Sequence, residues 1–219
     1  MPNAGAVQLC ALRVSKLAAD GSLDYGPNSL YVTDTAISLQ VGPVMQDGED
    51  IIVTNGCGDV MVDYASPPAY RRVDIELSLA IPEPELVFLL TRNSRLLKLD
   101  GETVGWGHPE LFKRFTDEGV CLEGWQKRIV GGVVGVPSAW RWIFPRVNKM
   151  QVGQRTLENG SVETVLMGHG YMNANIGNGP VDDFDELTDD PIVGPYDYVE
   201  DVAIPEAEIG LQALVPAGS

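Results

Sequence analysis

Positive charge is what this chain most lacks. Its 219 residues hold 15 Lys and Arg against 31 Asp and Glu, a formal charge of −16. No Lys or Arg occurs in residues 17–70, which carry eight acids, or in residues 156–219, which carry thirteen. Arg13 and Lys16 precede the first gap; the other thirteen basic residues lie in 71–155 among ten acids. A protein that grips nucleic acid needs clustered Lys and Arg to neutralise phosphates and release counterions, and this distribution argues against that. Two acidic segments flanking a mildly positive middle favour contact between unlike parts of neighbouring copies instead.

Histidine and cysteine are also few. His108 precedes Pro109 and His169 stands between two glycines, neither beside a nucleophile in a G-x-S-x-G pattern. Cys10, Cys57 and Cys121 are odd in number, far apart and never C-x-x-C, which argues against structural zinc. No basic stretch followed by a long apolar run opens the chain, so synthesis in a reducing cytoplasm is expected. The longest apolar runs, Leu86–Leu90 and the glycine-broken Ile129–Val136, fall far short of the roughly 20 residues that span a bilayer. Phosphate-binding glycine motifs are missing. The acidic string DDFDELTDD does not make an EF-hand: a loop starting at Asp182 would need Gly and Glu where Leu187 and Val193 stand. No spacing selects a catalytic pair of carboxylates. The expectation is a protein with no cofactor, no metal and no catalytic site.

What is present points to β structure. Glycine (24) and proline (15) are frequent, and 44% of residues are hydrophobic, which suits strands joined by turns. Ile37, Leu39 and Val41 alternate with polar residues, as in a half-buried strand. Ile51–Thr54 and Val60–Tyr64 flank NGCGD, where Asn55-Gly56 predicts a hairpin of the type that takes positive φ at both turn residues, lengthened by Cys57 and Gly58. Val73, Ile75, Leu77, Leu79 and Ile81 share one face of a core strand. PEPELVFLLT predicts a short helix with Pro84 in its first turn, acids at its N-terminal end and Leu86, Leu89 and Leu90 on its apolar side. Residues 92–117 are hard to read: Leu96–Leu99 with Asp100-Gly101 suggests a strand and turn, and HPELFKRF a helical turn. Val120–Ile129 alternates, placing Cys121, Glu123, Trp125, Lys127 and Ile129 together. Trp140, Trp142 and Phe144 fall on one side of an aromatic strand, as anchors of a core or an interface. Gln151–Leu157 and Ser161–Met167 read as a further hairpin.

Three regions follow from this pattern. Residues 1–29 are turn-rich and read as an N-terminal arm or a frayed end. Residues 30–167 form a β-sandwich core. Residues 168–219, rich in Gly, Pro and acids, form an extension that wraps its own subunit or a neighbour. Asp59, Asp63, Asp74 and Glu76 fall on strand faces opposite the apolar residues.

Two sets of strings resemble the tail tube (major tail) proteins of long-tailed bacteriophages, especially those of actinobacterial hosts. The first is LCALRVSKL, YVTDTAISLQV, DIIVTNGCGDVMVDY and RRVDIELSLAIPEPEL; the second is WRWIFPR, TLENG, GNGPVDDF and GPYDYVEDVAIPEA. They cover about two-thirds of the chain and carry no chemical signature. The resemblance implies a sandwich or split barrel with a flanking helix and long loops or arms. It also implies hexameric rings stacked into a tube, other tail proteins as partners, no membrane association, and a place in the virion. DNA would pass through an acidic lumen without specific binding, with Asp59, Asp63, Asp74 and Glu76 as candidate lining. Another virion component (a capsid decoration protein, tail terminator or connector) is the alternative, and a binding module or enzyme on a β scaffold a third.

Overall fold

The computed structural model describes residues 5–92, 95–108, 118–130, 133–154, 163–177, 179–180, 198–202 and 209–215. In chain order the first elements are β1 (Gly5–Lys16), β2 (Gly26–Thr33), β3 (Ala36–Gln46), β4 (Asp50–Thr54), β5 (Val60–Ala65) and β6 (Ala69–Leu79). Helix α1 (Pro84–Thr91) follows, then β7 (Arg95–Leu99), β8 (Glu102–Gly107), β9 (Val120–Val130), β10 (Val133–Val152) and β11 (Thr164–Tyr171). β12 (Tyr198–Val202) and β13 (Gly210–Leu214) complete the set. The fold is mainly β, as the alternation and turn content predict. No helix among the described residues is long and apolar enough to cross a membrane.

The main sheet runs β13-β2-β1-β9-β10-β11-β6-β3 with antiparallel neighbours, and β12 pairs with the part of β10 that β11 leaves free. β2 reaches β3 through Asp34 and Thr35 alone, yet the two strands stand at opposite ends of this order, so the sheet must curl. Gly124 of β9 marks the closure: a Cβ there would stand 3.6 Å from Leu39 of β3, four strands away. Inside the curl lies one core of Leu12, Val14, Tyr31, Val73, Ile75, Leu77, Leu79, Leu122, Phe144, Met150 and Leu166. Helix α1 covers it with Leu86, Val87, Leu89 and Leu90. Pro84 takes the first helical position, where its missing N–H costs nothing, and Arg92 ends the helix in the left-handed region with its N–H bonded to the Phe88 carbonyl.

Three expectations are corrected. Residues 5–29 are no arm: β1 sits between β2 and β9, and Leu12, Val14 and Leu17 are fully buried. Turn residues 18–25 hid this, because they sit between two strands rather than before the first. The extension does not start at 168, since β11 continues to Tyr171, and β12 and β13 both pair with strands of their own subunit. Positive φ in the NGCGD turn falls on Gly58 (+90°) rather than on Asn55-Gly56, because the Asn55 side chain organises the loop by accepting the N–H groups of Cys57 and Asp59. The two-residue turn with positive φ at both positions is at Asp100-Gly101 (51° and 91°), joining β7 to β8. HPELFKRF and the ENG turn lie outside the described residues.

Candidate interaction surface

β6 has two chemically distinct faces. Val73, Ile75, Leu77 and Leu79 point into the core, and Asp74 and Glu76 point away from it. β11 pairs with β6 so that His169 stands opposite Asp74 and Met167 opposite Glu76. The result is a groove of about 420 Å³ lined by Gln40, Asp74, Glu76, Gln151, Met167 and His169. His169 Nδ1 lies 2.7 Å from Asp74 Oδ1, and Arg72 Nε donates to the same oxygen at 3.0 Å. Asp74 is therefore shared by two nitrogen donors, while Glu76 stands half-buried beside it. Among the described residues, no hydroxyl or thiol side chain lines this groove beside the His–Asp pair.

Asp59 and Asp63 do not lie on a face opposite a core. Asp63 belongs to the separate two-stranded sheet β4–β5, whose strand residues are exposed on both sides, and Asp59 to the turn that joins its strands. Their faces alternate as expected, but no layer covers either one. Ile51 pairs with Tyr64 and Val53 with Val62, giving one wholly apolar face; Ile52 pairs with Asp63 on the other. Asp59 is tied to its own turn, accepting from Asn55 Nδ2 at 3.0 Å. The sequence reading thus joined four acids that the fold assigns to two different surfaces.

The aromatic trio also divides. Phe144 is fully buried in the main core. Trp142 packs against that core and lines a cleft of about 640 Å³ with Leu9, Ile37, Leu39, Val41 and Gln126, where β3 closes over β1 and β9. Trp140 is half-buried.

A buried charge cluster escaped the sequence reading. On the outer face of the curled sheet, Arg13 donates from Nε and Nη2 to the two carboxylate oxygens of Glu123 at 2.6 and 2.7 Å. Arg141 Nη1 lies 3.7 Å from Glu123 Oε1, and both guanidiniums stand over the Trp125 ring at 5.1 and 5.9 Å from its centroid. Glu123 is wholly inaccessible to solvent. The alternation had placed Glu123 with Trp125, but Arg13 is 110 residues away in sequence and only strand pairing brings it across. Nearby, burial raises the Cys121 thiol well above its usual value, helped by the Glu123 charge. The Cys10 thiol rises by burial as well, and donates to the Trp125 carbonyl at 3.2 Å. Neither is poised as a thiolate. No group of three or more His, Cys, Asp or Glu among the described residues is placed to hold a metal ion.

At the start of α1, burial raises the Glu83 carboxyl above its ordinary range, while its hydrogen bonds from Thr33 and Thr35 pull the other way. Tyr31, beside it, is pushed up to about 12 by burial and by the charges of Glu83 and Glu85. Because the folded protein holds the Glu83 proton more tightly than the unfolded chain, this group favours folding below its unfolded pKa, and that contribution is lost as pH rises through the folded value. Glu83→Gln keeps the oxygen that accepts from Thr33 and removes the charge. It is expected to raise the melting midpoint at pH 7 by about 1–2 °C, a small shift because the group is half-exposed, and to leave it unchanged near pH 4. Calorimetry of both proteins across that range measures it; an equal shift at both pH values would show that charge is not the cause.

No protein-family model matches the chain, and comparison with curated proteins finds no relative of significant similarity.

Proposed function

We propose that this protein is a self-assembling structural subunit of a phage tail tube, and that copies join through strand edges into a hollow cylinder. The observation that carries the reading is the outer border of β3. This strand has eleven residues, pairs only with β6 among the described strands, and contains no Lys or Arg. Ile37, Val41 and Met45 on it are exposed at 54%, 37% and 47%, although their alternation predicts a half-buried strand. Proteins that stay monomeric blunt such borders with short strands, inward charges or lysines, because an open border recruits another chain. Here the main concession is Pro43, which removes one donor, and no described strand other than β6 pairs with Ile37–Gly42.

Heterologous contact of this kind closes into rings where the rotation permits and otherwise extends along an axis. The excess of carboxylates suits a channel that DNA must traverse without adhering, because like charges repel phosphates. Asp74 and Glu76, on the outer face of β6, are the lining candidates that this arrangement favours. The acids of β4–β5 stand on a different surface.

The test is assembly of the purified protein at high concentration, followed by sedimentation and negative-stain microscopy. Rings or tubes are expected. An Ile37→Lys/Val41→Lys variant should need a concentration about tenfold higher or more, since ~1.4 kcal/mol lost per contact is a factor of ten. A wild-type protein that remains monomeric at every concentration overturns the reading.

A further inference from the structure

The β4–β5 hairpin stands off the body of its own subunit. It prolongs the β3–β6 pair beyond Gln46, through a neck in which Ser66 N donates to the Glu49 carbonyl at 3.2 Å. Ile51, Val53, Val62 and Tyr64 form its apolar face, and each is between 47% and 54% exposed. A hairpin alone in water is marginal, and exposed apolar surface of this kind marks a contact site.

A receiver lies at the other end of β3. Ile37, Leu39 and Val41 share one face of that strand and line the cleft of about 640 Å³ with Leu9, Gln126 and Trp142; none of its lining residues is charged. A strand added to the open border of β3 would take main-chain hydrogen bonds from it and drop every second side chain into this cleft. The hairpin of the same copy does not fill it. That hairpin starts beyond Gln46, which is about 30 Å from Ile37 at ~3.3 Å per residue, and its strand residues are all exposed. Among the short strands of the chain, chemistry selects β4 as the added one. β7–β8 carries Arg95 on one face and Lys98 on the other, and β12 contains Glu200 and Asp201, so each would take a charge into an apolar cleft. β13 is interrupted by a register shift between Gln212 and Leu214. β4 is uncharged from Ile51 to Thr54, and at five residues it is as long as the segment Ile37–Val41.

We propose that β4 of one copy adds to the open border of β3 in a second copy, with Ile51 and Val53 seated in the cleft beside Leu9 and Trp142. Donor and receiver are different patches, so the contact is head-to-tail and repeats from copy to copy. This inference rests on the self-assembly reading and names the partner of the β3 border.

Two variants of the full-length chain test it. Ile51→Lys/Val53→Lys spoils the donor, and Ile37→Lys/Val41→Lys spoils the receiver. Alone, each should need a concentration about tenfold higher or more to assemble. Mixed in equal amounts, the two should form one-to-one pairs and stop there, because the mixture offers one intact donor and one intact receiver per pair. Sedimentation velocity reads that species as a dimer. A donor variant that assembles as wild type does, or a mixture that yields no pairs, overturns the β4 assignment, while assembly of the wild-type chain leaves the self-assembly reading standing. A wild-type chain that never assembles sinks both. Should a lysine variant fail to fold, Val53 replaced by p-benzoylphenylalanine supplies a second readout. Irradiated assemblies should give intermolecular cross-links to residues 36–42, Leu9 or Trp142, and cross-links confined to other segments overturn the proposal.

Discussion

Glu123→Ala is expected to cost about 3–5 kcal/mol of stability, and to lower the melting midpoint by on the order of 10 °C for a chain of this size. The carboxylate is fully buried and accepts both bonds of a two-pronged Arg13 contact, with Arg141 close by. Removing it leaves two buried guanidiniums without the carboxylate they share, beside a Trp125 ring at 5.1 and 5.9 Å that offers each a cation–π contact. The loss reflects stranded charge rather than the net value of the pair. A chain carrying Glu123→Leu together with Arg13→Met and Arg141→Met should therefore recover most of it, because apolar replacement of a complete buried ion group is often neutral or better. Denaturant melts of the single and combined variants measure this. A single variant within 1 kcal/mol of wild type, taking about 1 kcal/mol as the level of an ordinary substitution, would mean that water reaches the cluster.

Phe144→Ala is expected to cost about 3–5 kcal/mol, because the ring is fully buried in the main core and its removal leaves a cavity that the strands around it cannot close. Trp142→Ala should cost less, since that side chain is only partly covered and lines an open cleft. The order matters more than either value: a core of this geometry requires Phe144 to dominate. Thermal melts of the two variants check it, and a larger loss for Trp142 would place the centre of packing on the cleft side.

The aromatic trio illustrates how far a sequence reaches. Alternation correctly grouped Trp142 and Phe144 on the core side of β10, but not their unequal burial. That depends on β3 folding over one end of the sheet, which is set by pairing between residues 23 to 43 positions apart, from Gln46↔Ala69 to Ala36↔Leu79. The N-terminal region failed for a related reason. Arg13 and Ser15 interrupt the apolar residues Leu12, Val14 and Leu17, so no apolar run marks β1; both are nevertheless buried, because the other side of β1 is covered too. The four acids failed differently. Period two placed each on the polar side of its strand, and it did so correctly for Asp74 and Glu76. It had no means of knowing that β4 and β5 leave the main sheet, so that neither of their faces meets a core.

By itself the sequence determined what local physics controls: strands from alternation, the helix start from Pro84 and its neighbouring acids, turns from glycine and asparagine, and a large excess of carboxylates over basic residues. Only the tertiary structure decided which strands are neighbours, and hence which polar residues are buried together as Arg13, Glu123 and Arg141 and which apolar residues are left in water on β3 and β4–β5. Those outcomes come from long-range pairing in a curled sheet. There a side chain's environment is supplied by strands distant in sequence, and no local pattern encodes it.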